Sequence, residues 1–177
     1  NEYLASLAYE KHGIKNTIFR PFSGYGTDQD LTYPFPSIIR RAIKHTSKKD
    51  FIVWGSGYQM RDFIHIKDVV RGSLLIAKKI KNGKAVNLSS GRFLNFINLS
   101  KKVLAIIGKN NVRVKGNSTK PEGVFARGGS RSLQKKLGFY PQISIEDGIK
   151  SAIKYFKWNS SKNPIKWAFF VVIISHL

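Results

Sequence analysis

An arginine and an aspartate, Arg61 and Asp62, stand at the centre of the stretch of this chain that is richest in chemically useful residues. Residues 53–69 read VWGSGYQMRDFIHIKDV. A guanidinium just after a tight glycine turn can present paired N–H donors to an anion, while the neighbouring carboxylate fixes the local backbone. The same pair can also be an exposed salt bridge beside a turn, which is common in proteins and adds little stability. The spacing alone leaves both interpretations open.

We predict that a β-hairpin followed by a helix positions this pair. Phe51–Trp54 is a short apolar run that favours a strand, the glycines after it tolerate positive φ, and strand-like composition resumes at Phe63. Asp68 is expected to cap the next helix by accepting amide N–H groups of its first turn, a contribution of about 1 kcal/mol. Trp54 and Phe63 are expected in the core, and His65 is expected to be packed or hydrogen-bonded and not catalytic.

Helices and strands alternate along the rest of the chain. Periodic apolar residues predict helices in residues 1–11, 38–43, 68–79, 99–107 and 145–156, and shorter apolar runs predict strands in residues 14–20, 85–88 and 112–114. Gly13 suits the C-terminal cap of the first helix, and Ser144 begins a capping-box pattern at the start of the last. The proline and glycine break at residues 21–26 is a predicted site loop. This alternation predicts an α/β fold.

Composition limits the class of protein. A chain of 177 residues with 42% hydrophobic residues can form one domain or part of a larger one. It has no Cys, its four His are scattered, and the loop carboxylates of Asp28 and Asp30 lack further ligands nearby. We therefore predict neither a disulfide framework nor a metal site. No secretory signal is visible at the N-terminus, which does not begin with Met, and a cytoplasmic location is expected.

The formal net charge of +21 favours polyanionic partners. A basic module that binds nucleic acid or an anionic surface is therefore an alternative function. Lys and Arg are spread through every segment, however, and no zinc-finger spacing, RNP-type aromatic run or helix-turn-helix pattern accompanies them. For this reason nucleic acid is not the partner we expect.

The last segment, residues 159–177, departs from the alternating pattern. A polar run leads into the apolar residues 167–174, which are too few to span a bilayer as a helix, since about 20 are needed. This segment could form an edge strand, dock a partner or extend the domain, and no membrane span is predicted. We place the domain at residues 1–158 and the apolar tail outside it.

Three motifs in fixed order resemble a known family. They are RPFSGYG at residues 20–26, WGSGYQMRDFIHIKDV at residues 54–69, and KPEGVFAR at residues 120–127 with LGFYP at residues 137–141. Together they closely resemble the C-terminal half of extended short-chain dehydrogenases, the NAD-dependent epimerase/dehydratase family that acts on nucleotide sugars. The resemblance covers residues 1–158. It implies an α/β fold: the C-terminal part of a Rossmann-like NAD(P)-binding fold plus a small mixed α/β substrate-binding lobe.

The resemblance also implies which parts of the enzyme lie elsewhere. The family's glycine-rich phosphate turn and its catalytic Tyr-x-x-x-Lys are expected upstream of Asn1, because Tyr3 and Tyr9 are not followed by Lys at that spacing. NAD or NADP would then be bound mainly by a preceding N-terminal part. The chain alone is expected to be inactive, and the full-length enzyme is expected to be a homodimer.

The resemblance implies five site residues. Pro21 and Phe22 would shape the cofactor pocket, and Ser23, where many relatives have Asn, would face the sugar or the diphosphate. Arg61 and Arg127 would clamp the diphosphate, because each guanidinium offers paired, charge-assisted hydrogen bonds. An arginine in such a position can also simply cover apolar surface.

Three further observations accompany this set. Ser89 and Ser130 stand where relatives often carry Gly and Asp, so the local geometry is expected to differ at both. Arg20 belongs to the first motif, but it too can serve only to cover apolar surface. A truncated chain that folds poorly is a third possibility, beside the enzyme and the basic module.

Overall fold

The computed structural model describes residues 1–46 and 48–161. The apolar run at residues 167–174 lies outside the described residues, so the interpretations of that segment stay predictions. In the described ranges no helix combines the length and the apolar character that a membrane span requires. The elements, in chain order, are α1 (Glu2–His12), β1 (Asn16–Pro21), β2 (Gly24–Tyr25), α2 (Pro34–Lys44), β3 (Phe51–Trp54), β4 (Met60–Asp62), β5 (Ile64–His65), α3 (Ile66–Ala77), β6 (Asn82–Leu88), β7 (Phe93–Asn95), α4 (Phe96–Ile106), β8 (Val114–Asn117), β9 (Ala126–Arg127), α5 (Ser132–Lys136) and α6 (Ile145–Ser161).

The predicted α/β class is confirmed, and the described strands form small sheets with mostly parallel pairing. β1 pairs with β6, β2 with β5 and β3 with β8, each pair in parallel. A further sheet has the order β7-β4-β9, with β4 antiparallel to β7 and parallel to β9. Parallel neighbours need crossover connections of about a dozen residues or more, and the helices lie in those connections.

Two clusters of buried apolar side chains hold these elements together. The larger joins α2, α4, α6 and the β3–β8 pair and includes Phe35 and Leu99. The smaller joins α3 to the β1–β6 pair and includes Val86 and Phe139. Gly72 of α3 allows this second contact, because a Cβ atom at that position would lie 2.7 Å from the ring of Phe139.

Helix ends follow two of the predicted caps. Gly13 ends α1 in the left-handed conformation, at φ 65°, where glycine avoids the steric cost of a Cβ atom. At the start of α6 the Ser144 hydroxyl accepts the amide N–H of Asp147 at 3.0 Å. Both caps depend on residues that are close together in the sequence, which explains why they could be predicted without knowledge of the fold.

The N-cap predicted at Asp68 is wrong. The helix α3 begins earlier, after His65, whose Nδ1 accepts the amide N–H of Lys67 at 3.2 Å. Asp68 is instead a buried residue of the first turn that accepts the amide N–H groups of Gln142 and Ile143 at 3.0 and 2.9 Å. Its carboxylate therefore fastens the segment before α6 to α3. His65 itself is buried and hydrogen-bonded, as predicted.

The predicted hairpin is also wrong, although its strands exist. β3 pairs with β8 and β4 pairs with β7 and β9, so the two predicted hairpin arms belong to different sheets. Gly55 and Gly57 do adopt positive φ, at 68° and 77°. A Cβ atom on Gly57 would lie within 3 Å of both Ile97 and Val53. The glycines thus allow the chain to pass close to α4 as it leaves the β3–β8 sheet. They do not form the tight two-residue turn of a hairpin.

Candidate functional site

Strand β4 brings the two predicted diphosphate-binding arginines together. As the central strand of its sheet, it places Arg61 in register with Leu94 on β7 and with Arg127 on β9. Adjacent strands lie about 4.8 Å apart, and residues in register on them project to the same face of the sheet. Two residues separated by more than sixty positions in sequence therefore become neighbours.

The Arg61 side chain is held by the backbone and by an aromatic ring. Its Nη1 donates to the carbonyl oxygens of Met60 and Val124, both at 2.8 Å. Its Cζ atom lies 5.5 Å from the centre of the Phe96 ring, within the range of a cation–π contact. These contacts fix the guanidinium without neutralising it.

Arg61 and Arg127 have no acidic partner among the residues that the structure describes. Burial lowers the pKa of Arg61 from its ordinary value, and the positive charge of Arg127 lowers it further. Two unneutralised guanidinium groups on adjacent strands repel each other, and a bound anion would remove that repulsion.

The interpretation of Arg61 and Asp62 as an exposed salt bridge is wrong. Asp62 is fully buried, and its carboxylate accepts hydrogen bonds from the turn that follows β6. Successive residues of a strand point to opposite faces, so the two side chains separate. The carboxylate was expected to fix the backbone of its own segment, but it instead holds the turn after β6, because it accepts the amide N–H groups of Ser90 and Gly91, both at 3.0 Å.

Arg61 lines a cleft of about 400 Å³ that lies between α2 and the connection from β3 to β4. A cavity of this size is in the range that holds a small ligand.

The indole of Trp54 forms part of the wall and is 61% exposed, so the prediction that Trp54 belongs to the core is wrong. Side chains alternate along β3, and Phe51 and Val53 take the inward positions. Phe63 is buried, as predicted.

Two polar residues that sequence reasoning missed shape the cleft. Gln59 is 2% exposed, and its Nε2 donates to the carbonyl oxygen of Trp54 at 3.0 Å. The Glu122 carboxylate accepts the amide N–H of Ser56 at 3.1 Å and the Ser56 hydroxyl, and these hydrogen bonds lower the pKa of Glu122. Glu122 thereby ties the segment before β9 to the glycine turn. Its motif was visible in the sequence, but nothing there indicated its partner.

The predicted cofactor-side residues lie apart from this cleft. Pro21 ends β1, opposite Leu88 of β6, and the Phe22 amide donates to the Leu88 carbonyl oxygen at 3.0 Å. The ring of Phe22 lies against the backbone of Gly129, where a Cβ atom would come within 2.3 Å of it. Ser23 adopts φ 39°, an uncommon value for a residue with a side chain. None of these predicted residues lines the cleft of Arg61.

Arg20 neither lines the cleft nor merely covers apolar surface. Its Nε donates to the Glu2 carboxylate at 2.7 Å, and this ion pair links β1 to the start of α1. The hydrogen bond to Arg20 lowers the pKa of Glu2. Both side chains are about half exposed, so the pair contributes little to stability.

Ser89 and Ser130, the two residues that depart from the family pattern, have different surroundings. The Ser89 hydroxyl donates to the buried carboxylate of Asp62, and the Ser89 backbone exchanges two hydrogen bonds with the Gln134 amide at 2.9 Å. The Ser130 hydroxyl bonds only locally, to the Ser132 hydroxyl at 3.2 Å. Ser89 is therefore part of the hydrogen-bond network that supports β4.

In the described part of the chain, no group of three or more His, Asp or Glu lies together as the ligands of a metal ion would.

Of the two predicted arginines, Arg61 lines the cleft and Arg127 does not, whereas Arg41 of α2 forms part of its wall. Parallel strand pairs flanked by helices define this chain as an α/β protein of the Rossmann type. Residues 1–89 match the model of the NAD dependent epimerase/dehydratase family. That match covers half of the chain, and the protein belongs to this family.

Curated relatives act on several nucleotide sugars according to their names. The chain is 28% identical to a putative GDP-L-fucose synthase 2 of Oryza sativa subsp. japonica, over 71% of this chain and 36% of that protein. It is 29% identical to the UDP-glucuronate 4-epimerase of Thermodesulfobacterium geofontis, over 89% of this chain and 48% of that protein. The chain thus spans about half, or less, of the length of these relatives.

Solved structures share the fold. The UDP-glucose 4-epimerase of Thermotoga maritima, crystallised with UDP-glucose, superposes with a TM-score of 0.77 at 25% identity, over 90% of this chain and 51% of that one. The UDP-glucuronic acid 4-epimerase of Bacillus cereus, in complex with UDP-glucuronic acid and NAD, gives 0.76 at 24% identity over 89% and 50%. The predicted Rossmann-like architecture is confirmed.

Proposed function

We propose that residues 1–158 are the substrate-binding part of an NAD(P)-dependent nucleotide-sugar epimerase or dehydratase, and that Arg61 and Arg127 bind the diphosphate of the substrate. The observation that carries this proposal is the pairing of these two arginines in register, without an acidic partner among the described residues. A diphosphate offers oxygen acceptors and negative charge to both guanidinium groups at once. Family membership supports the same substrate class.

The wall beside Arg61 suits the rest of a nucleotide. Trp54 presents an exposed indole face in the same cleft, and aromatic faces stack on nucleobases irrespective of sequence. Ser23, in the connection between β1 and β2, is the proposed contact to the sugar. These assignments place the diphosphate at β4 and the base toward α2.

The cofactor would meet this chain only at the end of β1. NAD or NADP supplies hydride transfer when bound. Pro21 and Phe22 fit one edge of such a pocket, because their backbone is fixed against Leu88 and the ring of Phe22 covers Gly129. Neither Tyr3 nor Tyr9 has a Lys four residues later, so we propose that the acid/base pair is not in this chain and that the chain alone is inactive. We also propose that the complete enzyme is a homodimer.

Calorimetric titration with nucleoside diphosphate sugars tests the binding role. We expect Arg61→Gln and Arg127→Gln each to weaken binding by about 2 kcal/mol, the loss typical of a charged hydrogen-bond partner. Arg113→Gln, at an exposed position preceding β8, is the matched control and should bind like the unmodified chain. Equal affinity in all four proteins would remove the arginine pair from the site.

Two further measurements separate the alternatives. Turnover of a nucleotide sugar by the purified chain with NAD would contradict the proposed inactivity. Binding to duplex DNA that falls steeply with salt, combined with indifference to nucleotide sugars, would favour the basic module suggested by the net charge of +21.

A further inference from the structure

The outer face of α6 carries lysines around an apolar groove of about 490 Å³. The α6 positions in it recur at intervals of three and four residues, so they share one face of the helix. The indole of Trp158 is 60% exposed in this groove. We call it the α6 groove, and its lining residues on α6 and α4 are Ile106, Lys150, Ile153, Lys154, Lys157 and Trp158.

The lysines of the α6 groove are poorly neutralised. Lys154 and Lys157 form no ion pair with any residue that the structure describes. Lys150 lies 4.0 Å from the Asp147 carboxylate, and both side chains are about two-thirds exposed. Such an exposed contact adds little stability and leaves the lysine open to other anions. The groove therefore combines an apolar floor with a positively charged rim.

The sequence after Asp147 has the same character. Residues 148–177 contain five lysines and no Asp or Glu. The last two of these lysines precede the apolar residues 167–174, which begin with Trp167 and carry no charge. A solvated helix surface typically alternates charges of both signs. Charge of a single sign beside exposed apolar and aromatic residues is instead typical of segments that lie on a membrane surface.

We propose that the α6 groove and the apolar residues 167–174 attach the protein to the surface of an anionic lipid bilayer. Lysines can lay their alkyl stems on an apolar surface while their ammonium groups reach the lipid phosphates and carboxylates. Tryptophan side chains favour the headgroup region, where Trp158 would lie. The apolar run is too short to cross the bilayer as a helix, but it can enter the interface.

Two arguments favour a bilayer over other partners. Stable attachment usually needs two weak signals, such as an apolar anchor and a basic patch, and this chain carries both next to each other. An aliphatic run has no function on a nucleic acid, although the lysines alone would suit one. The α6 groove shares no lining residue with the cleft of Arg61, so this proposal is independent of the proposed function.

Flotation of the purified full chain with lipid vesicles tests the proposal. The vesicles consist of phosphatidylcholine alone or with about 30% phosphatidylserine, a composition that gives the surface a negative potential. We expect binding to the anionic vesicles, weaker binding to the neutral ones, and a loss of the difference at high salt, which screens the lysine charges. Flotation separates bound protein from aggregates, because aggregates do not rise with the lipid.

A pair of charge-matched variants assigns the effect to α6. K154Q/K157Q should bind anionic vesicles about 30-fold more weakly, at about tenfold or less per lysine. K78Q/K81Q removes the same charge from exposed positions between α3 and β6 and should bind like the unmodified chain. An equal loss in the two variants would overturn the proposal, because the net charge and not the α6 groove would then drive binding.

The remaining outcomes are equally decisive. F169S/F170S should weaken binding and keep its salt dependence, whereas unchanged binding would overturn the role of the apolar run. Equal binding of the unmodified chain to neutral and anionic vesicles overturns the proposal. Absence of flotation with both also overturns it and leaves the groove to residues 167–174 themselves or to a second copy of the chain. K154Q/K157Q should still bind nucleoside diphosphate sugars, so a failure of the proposed function is seen separately.

Discussion

The carboxylate of Asp62 accepts hydrogen bonds from both the amide and the hydroxyl of Ser90, at 3.0 and 2.6 Å. It also accepts the Gly91 amide N–H at 3.0 Å and the Ser89 hydroxyl, and the side chain is fully buried. No cation pairs with it in the part of the chain that the structure describes. A buried carboxylate without a basic partner depends on its hydrogen-bond donors, and these donors join β4, which carries Arg61, to the turn after β6.

Asp62→Ala should therefore lower the free energy of unfolding by roughly 2–4 kcal/mol, because the donors of Ser89, Ser90 and Gly91 lose their buried acceptor. Urea unfolding followed by circular dichroism measures the change. Asp28→Ala removes an exposed loop carboxylate and should change the free energy of unfolding by less than about 0.5 kcal/mol. Comparable stability of the two variants would show that the network does not hold the fold together.

The sequence predicted those parts of the fold that depend on neighbours in the chain. Gly13 and Ser144 mark helix ends through contacts within a few residues, and the α/β class follows from periodicity. The hairpin prediction was wrong because strand pairing depends on segments that are distant in sequence. β3 pairs with β8, which lies more than fifty residues later in the chain. The prediction that Trp54 is buried was wrong for a related reason. Its apolar character suggested burial, but the alternation of side chains along β3 directs it toward the cleft.

The candidate site was predictable only in part. Arg61 and Arg127 were chosen through motif resemblance, and the fold places them in register. Arg41 looked like any basic residue in the last turn of an amphipathic helix, a position that such residues favour for reasons of helix electrostatics alone. Its position in the wall of the cleft depends on how α2 packs against β3, which no local pattern in the sequence encodes.

Stability should fall as the pH drops through the range where His65 titrates. Burial lowers the pKa of His65, Asp68 opposes that shift, and Lys67 adds to it, so the folded-state pKa lies below the unfolded value of about 6.5. The unfolded chain then binds the proton more readily. The stabilisation is present above about pH 6.5 and is lost as the pH falls toward the folded-state pKa.

Urea unfolding at about pH 7.5 and about pH 5.5 measures this loss. His65→Asn removes the titrating ring and keeps an acceptor at the N-cap of α3, so it should lose less stability between the two pH values than the unmodified chain. His12→Asn, at an exposed position, is the control and should keep the full pH dependence. An identical slope in His65→Asn would assign the effect to other groups.

Lys109 should stabilise the helix that carries Arg41. Its Nζ donates to the carbonyl oxygens of Ala42, Ile43 and His45, at 2.9, 3.1 and 2.6 Å, at the C-terminal end of α2. A cation there satisfies free carbonyl groups and complements the helix dipole. Lys109→Met should therefore cost about 1–2 kcal/mol in the free energy of unfolding, measured by urea titration. Lys101→Met, exposed on α4, should cost far less, and an equal cost would contradict the capping role.

Removing Arg127 should have opposite effects on stability and on ligand binding. Its charge disfavours the neighbouring charge of Arg61 in the free protein, and like charges in register on adjacent strands destabilise a sheet. Arg127→Gln should therefore raise the free energy of unfolding by about 0.3 kcal/mol at low salt, and added salt should erase the gain. The same variant should bind a nucleoside diphosphate sugar about 30-fold more weakly, which corresponds to the loss of about 2 kcal/mol proposed above. A purely structural arginine would lose stability on substitution and leave affinity unchanged, so urea titration and calorimetry on one variant distinguish the two roles.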